Sequence, residues 1–204
     1  MSEHCCAAPP LSADPRYRRI LWIALAVNAA MFLVELGASA TSGSAALAAD
    51  AVDFAGDAAN YGLSLAAIAA GGLWASRAAF VKGLAMGSYG IGVLAFCAWR
   101  IHLGTPPEPL TMGIIGTLAL AANLWVAWLL YAYREGDANM RSVWLCTRND
   151  AISNLAVLAA AVGVFGTGTN WPDIAVAALM ASLALVSAYS VIRHARAELA
   201  PQDR

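Results

Sequence analysis

AADAVDFAGDAANYGLS, residues 48–64, sets three carboxylates, Asp50, Asp53 and Asp57, inside a long apolar run. On a helix turning 100° per residue, Asp53 lies about 60° from Asp50 and Asp57 about 20° from it. Asn60 and Ser64 fall on the same side, so one polar stripe runs along an otherwise oily helix. An ionisable side chain at the centre of a bilayer costs about 2.5–3.5 kcal/mol on insertion scales. Three on one face exceed what packing alone explains, and the stretch reads as a cation site within a membrane protein.

Composition supports the membrane. The 204 residues are 60% hydrophobic and 12% charged, where soluble domains average about 45–50% and 25%. Apolar runs of about twenty residues recur, as spanning helices require. The net charge is −1 and no basic patch tracks a phosphate backbone, so nucleic acid is not expected as a partner. Cys5 and Cys6 lie in an N-terminal tail, while Cys97 and Cys146 lie in apolar runs. No spacing suggests a disulfide framework, and Cys97 reads as a small hydrophobe.

Outward from the opening stretch, six spans are expected, giving an all-α transmembrane bundle. Residues 1–19 form a tail whose prolines argue against a helix. Span one is about 20–40; Ala38-Ser39-Ala40 resembles a signal-peptide cleavage site, but the run is too long and holds Asn28 and Glu35. Span two is about 45–70, closed by Gly71-Gly72 and the Trp74–Arg77 segment. Span three is about 78–99, with Gly83/Gly87 and Ser88/Gly92 as small pairs that allow close helix approach. Thr105-Pro106-Pro107-Glu108-Pro109 is a loop. Span four, about 110–133, ends in Trp125, Trp128, Tyr131 and Tyr133, which suit an interface belt. Span five is about 142–165 and span six about 174–192. The transporter domain therefore covers 20–192, and residues 193–204 are a polar tail too short to hold a core.

Six spans put both termini on one side. Arg16, Arg18, Arg19, Arg77, Lys82, Arg134, Arg141, Arg193 and Arg196 fall on that side and Arg100 on the other. The bias places both termini in the cytoplasm of an inner (plasma) membrane protein.

Span five, SVWLCTRNDAISNLAVL (142–158), stacks Cys146 and Asp150 at i, i+4, flanked by Asn149, Ser153 and Asn154, with Arg148 pointing the opposite way. Spans two and five thus each offer an i, i+4 ligand pair, Asp53/Asp57 and Cys146/Asp150. Carboxylates and a thiolate suit tetrahedral zinc-like ions, and the thiolate favours softer metals over magnesium, calcium or manganese. Bland readings stand beside this one. Cys146 alone would be a small hydrophobe. Asp50 would cap the start of span two or line an entrance, as a secondary ligand at most. Glu35, Asn28 and Asn123 would be interhelical hydrogen-bonding groups. His102 in a loop and His194 in a tail would be solvated. His4-Cys5-Cys6 is a weak candidate for soft-metal capture.

These residues resemble a known family. ADAVDFAGDAA is similar to the second-helix motif of cation diffusion facilitators, usually ADAxHxxxDA. SVWLCTRNDAISNLAVL resembles their fifth-helix motif, where His or Asp precedes Asp by four. Asn28 with Glu35-Leu36, Asn123 before VAWLLY, and Pro172-Asp173 opening span six also match, over about residues 18–198. The resemblance implies a transport site of Asp53, Asp57, Cys146 and Asp150. Asp53 stands where His is common and Cys146 where His or Asp is usual, which makes cadmium plausible beside zinc. The family's C-terminal cytoplasmic domain, which binds metal and helps hold the dimer, is not seen after span six. A homodimer is therefore left open.

The function expected is export of divalent metal ions (zinc, cadmium, and with them cobalt, lead or mercury) from the cytoplasm. Proton antiport is what the resemblance implies. The metal is cargo, and no resident cofactor is expected. One alternative is a metal sensor or accessory membrane subunit that does not transport. Another is an intramembrane aspartyl protease, but the Gly-x-Gly-Asp pattern is missing and Cys146 would have no role, so an enzyme is not expected.

Overall fold

The computed structural model describes residues 15–70, 72–133 and 138–199; side chains at 67–70, 72–75, 138–143, 145 and 146 are described by backbone alone. Six long helices follow one another: α1 (Pro15–Ser42), α2 (Ala45–Ala70), α3 (Gly72–Leu103), α4 (Pro109–Leu130), α5 (Ala138–Thr167) and α6 (Trp171–Leu199), with a short 3-10 turn at Tyr131–Tyr133. The expected six-span all-α bundle is present. Among the described residues, the helical prolines stand where a missing N–H does no harm: Pro15, Pro109 and Pro172 lie in the first turns of α1, α4 and α6.

The helices overrun the apolar runs that signal them. α1 starts within the supposed tail, at Pro15. α3 begins at Gly72, so Trp74–Arg77 continues a helix instead of breaking one, and His102 ends that helix instead of sitting in a loop. His194 likewise lies in α6. Gly71 and the turn at 134–137 lie outside the described residues.

Glycines stop three helices at the same end of the bundle. Gly43, Gly104 and Gly168 have φ of 73°, 66° and 63°, a backbone state that costs glycine little. Each donates its N–H four residues back, to Ser39, Arg100 and Val164, at 2.9, 3.1 and 2.8 Å, the αL closure of a helix C-terminus. Glu108 opens α4 by accepting from Thr111 and from Leu110 N–H, the latter at 3.0 Å. The Thr111 hydrogen bonds, with that of Leu110, hold its carboxyl below the usual value.

α1 packs most on α2, α3 on α6 and α4 on α5, while α2 also meets α3, α5 and α6. α2 is thus the central helix. Large apolar side chains face outward from the other five, among them Trp22, Ile91, Trp128, Phe165 and Val186, a surface suited to lipid. Among the described residues, α2 contributes none. Among the described residues, five helical stretches, in α1, α3, α4, α5 and α6, are long and apolar enough to cross a membrane; the aspartates, Asn60 and Ser64 lower the hydropathy of α2, which its neighbours enclose.

Gly83, Gly87 and Gly90 seat α3 on α6: a Cβ at Gly83 would lie 2.7 Å from Ile192, at Gly87 3.6 Å from Ala188, and at Gly90 3.2 Å from Leu185. Gly92 meets nothing within 4 Å, so the first small pair serves packing here and the second does not. Gly163 has a tighter constraint, because its Cβ would stand 2.8 Å from Cβ of Pro172, whose ring cannot rotate away. Gly163→Ala is therefore expected to cost about 1–3 kcal/mol by overpacking. Gly166→Ala, in open space, should be neutral or gain up to about 1 kcal/mol from helix propensity. Thermal unfolding of the two variants in detergent compares them.

Candidate metal site

The stripe on α2 faces inward. Asp50 is 1% and Asp57 8% exposed, while Asp53 keeps part of its surface accessible. α5 runs antiparallel beside α2 and brings Asp150 to Asp57, with the two carboxyl groups within hydrogen-bonding reach. Two acceptors can bond only through a proton that one of them holds, or through a cation between them. Asp150 Oδ2 is buried without any donor. Asp53 lies one turn away on α2, close enough to interact electrostatically with Asp57 and Asp150.

Other side chains hold this pair in place. Tyr61, one turn beyond Asp57 and 2% exposed, makes a long 3.5 Å contact from its hydroxyl to Asp57 Oδ2 and a 2.7 Å hydrogen bond with Thr147 on α5. It ties the two helices beside the carboxylates. Lys82 of α3 is buried, donates from Nζ to Asn60 Oδ1 and acts electrostatically on Asp57. Neither residue is singled out by sequence reasoning, which counts Lys82 as a surface charge. The signals were present: Tyr61 continues the i, i+4 series from Asp57, and Lys82 is an ionisable group inside a span.

Cys146 is helical and one turn from Asp150, hence on the same face of α5; its side chain lies outside the described residues, as do His4, Cys5 and Cys6. Among the described residues, no three His, Cys, Asp or Glu side chains converge closely enough to hold a metal. The pair Asp57/Asp150 is what the described geometry assembles. Arg148 is exposed and lies 5.5 Å over the Trp144 ring, pointing away from the site as expected.

A second acidic pair corrects the reading of Asp50. That residue does not cap α2. The cap is Ser44 together with Asp173 of α6: Asp173 accepts from Ser44 Oγ at 2.6 Å and from the N–H groups of Ala45 and Ala46 at 2.8 and 3.0 Å. Asp50 instead faces Glu35 of α1, which is wholly buried. Both Glu35 oxygens and Asp50 Oδ2 lack a donor. Asn28, expected to bond between helices, donates to Ala24 O of its own helix at 2.8 Å. The Oδ1 atoms of Asn28 and Asn123 are buried without a partner.

The cation efflux transmembrane domain matches residues 21–200. The chain belongs to the cation efflux family. Its helices and outward apolar faces make this member a multi-pass membrane protein. Among similar proteins, the zinc transporter ZitB of Escherichia coli is 28% identical over 210 residues, covering 97% of this chain and 67% of ZitB. A cadmium, cobalt and zinc/H(+)-K(+) antiporter of Bacillus velezensis is 30% identical over 92 residues, 43% of this chain and 29% of that protein. The metal cation efflux system protein CzcD of Cupriavidus metallidurans is 26% identical over 176 residues, 79% of this chain and 55% of CzcD. In this cation efflux protein the two motif helices, α2 and α5, bring Asp57 and Asp150 together.

Proposed function

We propose that this cation efflux protein exports divalent ions of the zinc and cadmium class from the cytoplasm across the plasma membrane, in exchange for protons. Asp53, Asp57, Cys146 and Asp150 act as the ligands. The observation that carries the reading is the buried Asp57/Asp150 pair, drawn from two motifs almost a hundred residues apart. Two facing carboxylates, whose charge the nearby Lys82 offsets only in part, are a strong cation sink in a low-dielectric interior. Their ligand forms are deprotonated, so metal entering from the cytoplasm displaces protons, and protons arriving from outside displace the metal. Movement of helices about a fixed mid-membrane site would alternate its access. The bias of positive charge supports cytoplasmic termini. Relatives named for zinc, cadmium and cobalt support the cargo class.

A panel of metals in proteoliposomes, with and without a pH gradient, tests this; binding without flux for every metal would sink it in favour of a sensor. The thiol gives a sharper result within the same assay. Cys146→Ser is expected to lower cadmium flux relative to zinc by about tenfold or more, because a hydroxyl replaces the one soft donor. An unchanged cadmium-to-zinc ratio would remove Cys146 from the ligand set.

A further inference from the structure

The pair Glu35/Asp50 has no place in the four-ligand site. Asp50 stands seven residues from Asp57, about 10 Å along the axis of α2. It lies toward the turn that joins α1 to α2. Glu35 approaches it from α1 with both oxygens unpartnered and no exposed surface. A second, independent group points to a ligand. Asn154 of α5 is one turn past Asp150 on the same face, at the level of Asp53 on antiparallel α2. It is wholly buried, and neither its Nδ2 nor its Oδ1 has a partner among the described residues. A buried amide without hydrogen bonds costs about 1–3 kcal/mol unless something visits it.

We infer that Glu35 and Asp50 form a second station for the divalent ion, with Asn154 bridging it to the Asp57/Asp150 site. The inference rests on the transport-site reading above. The donors at this station are oxygens alone. Lacking a thiol, it holds zinc-class ions less tightly than the inner site, as a release step requires. The ion leaves Asp57/Asp150, is passed by Asn154 Oδ1, and pauses at Glu35/Asp50 before the α1–α2 turn.

Equilibrium dialysis of the purified full chain against zinc counts the ions. His4, Cys5 and Cys6 are changed to serine in every sample to remove their contribution. The otherwise unaltered chain is expected to bind two ions, and Glu35→Gln with Asp50→Asn one. Glu35→Asp, which keeps the carboxylate, is expected to bind two; this separates charge from folding. Equal counts in the unaltered chain and the Glu35→Gln/Asp50→Asn variant overturn the second station, and so does a single ion in both Glu35→Gln and Glu35→Asp. Asp57→Asn with Asp150→Asn tests the other reading separately. Two ions retained there would sink the transport site while leaving the station in place.

Discussion

Asp57→Ala and Asp150→Ala are each expected to cut zinc and cadmium uptake into everted vesicles by at least about a hundredfold. Each removes one half of the pair that α2 and α5 bring together. Altering a group that merely orients a metal ligand already costs about 10–100-fold, so losing a ligand should cost more. The same variants are expected to unfold no more easily than the parent. Two buried like-charged carboxyl groups lose hydration on folding, and the single ammonium of Lys82 offsets only part of that cost. Removing one relieves that penalty, by about 1 kcal/mol or more. Activity lost with stability kept or raised is the signature of a functional site. Wild-type flux in either variant would show the assignment to be wrong. Loss of both flux and stability would make the pair structural.

Asp173→Ala is expected to do the reverse in its first effect, destabilising the bundle by about 3 kcal/mol. Its carboxylate receives three donors at the start of α2, from Ser44, Ala45 and Ala46. All three lie in a buried segment, where water cannot replace the lost acceptor. Ser44→Ala removes one of the donors and should cost about 1 kcal/mol, while Asp173→Asn, which keeps one acceptor oxygen, should fall between. Unfolding midpoints in detergent order the three. A midpoint for Asp173→Ala equal to that of the parent would mean that the clamp contributes nothing. Transport should fall as well, since α2 carries the aspartates and this clamp sets its position against α6.

Much of this was legible in the sequence, for reasons that also mark where legibility stops. The bounds of α2 agree with the expected span because Ser42-Gly43-Ser44 carries a turn glycine and uncharged neighbours. The ends of α1, α3, α5 and α6 were placed too far in. An apolar run reports the segment held in hydrocarbon, not the helix that extends beyond it. The i, i+4 logic put Asp57 and Asp150 on inward faces correctly, since helical register fixes direction. Register does not say which distant side chain stands opposite. The Glu35/Asp50 meeting, the cap that Asp173 lends to another helix, and the burial of Lys82 against Asn60 all depend on how helices cross. No local pattern encodes that. Asp50 illustrates the point. Near a helix start, a carboxylate ordinarily reads as a cap, yet here the cap came from a residue 129 positions away from Ser44.

Lys82 gives the site a property best stated as electrical work. Asp53, Asp57 and Asp150 as carboxylates bring three negative charges, and Lys82 as its ammonium brings one positive, leaving −2. A divalent ion brings that sum to zero before Cys146 is counted. Each uncompensated charge carried across a membrane works with or against its voltage by about 2.3 kcal/mol per 100 mV. The Lys82 ammonium, anchored to Asn60 of α2, stays beside the proposed fixed site as a built-in counter-ion. On the proposed ligand set, a bound divalent ion would cancel the charge of the three carboxylates and the ammonium, leaving the Cys146 thiolate as the one charge on which the membrane potential would act.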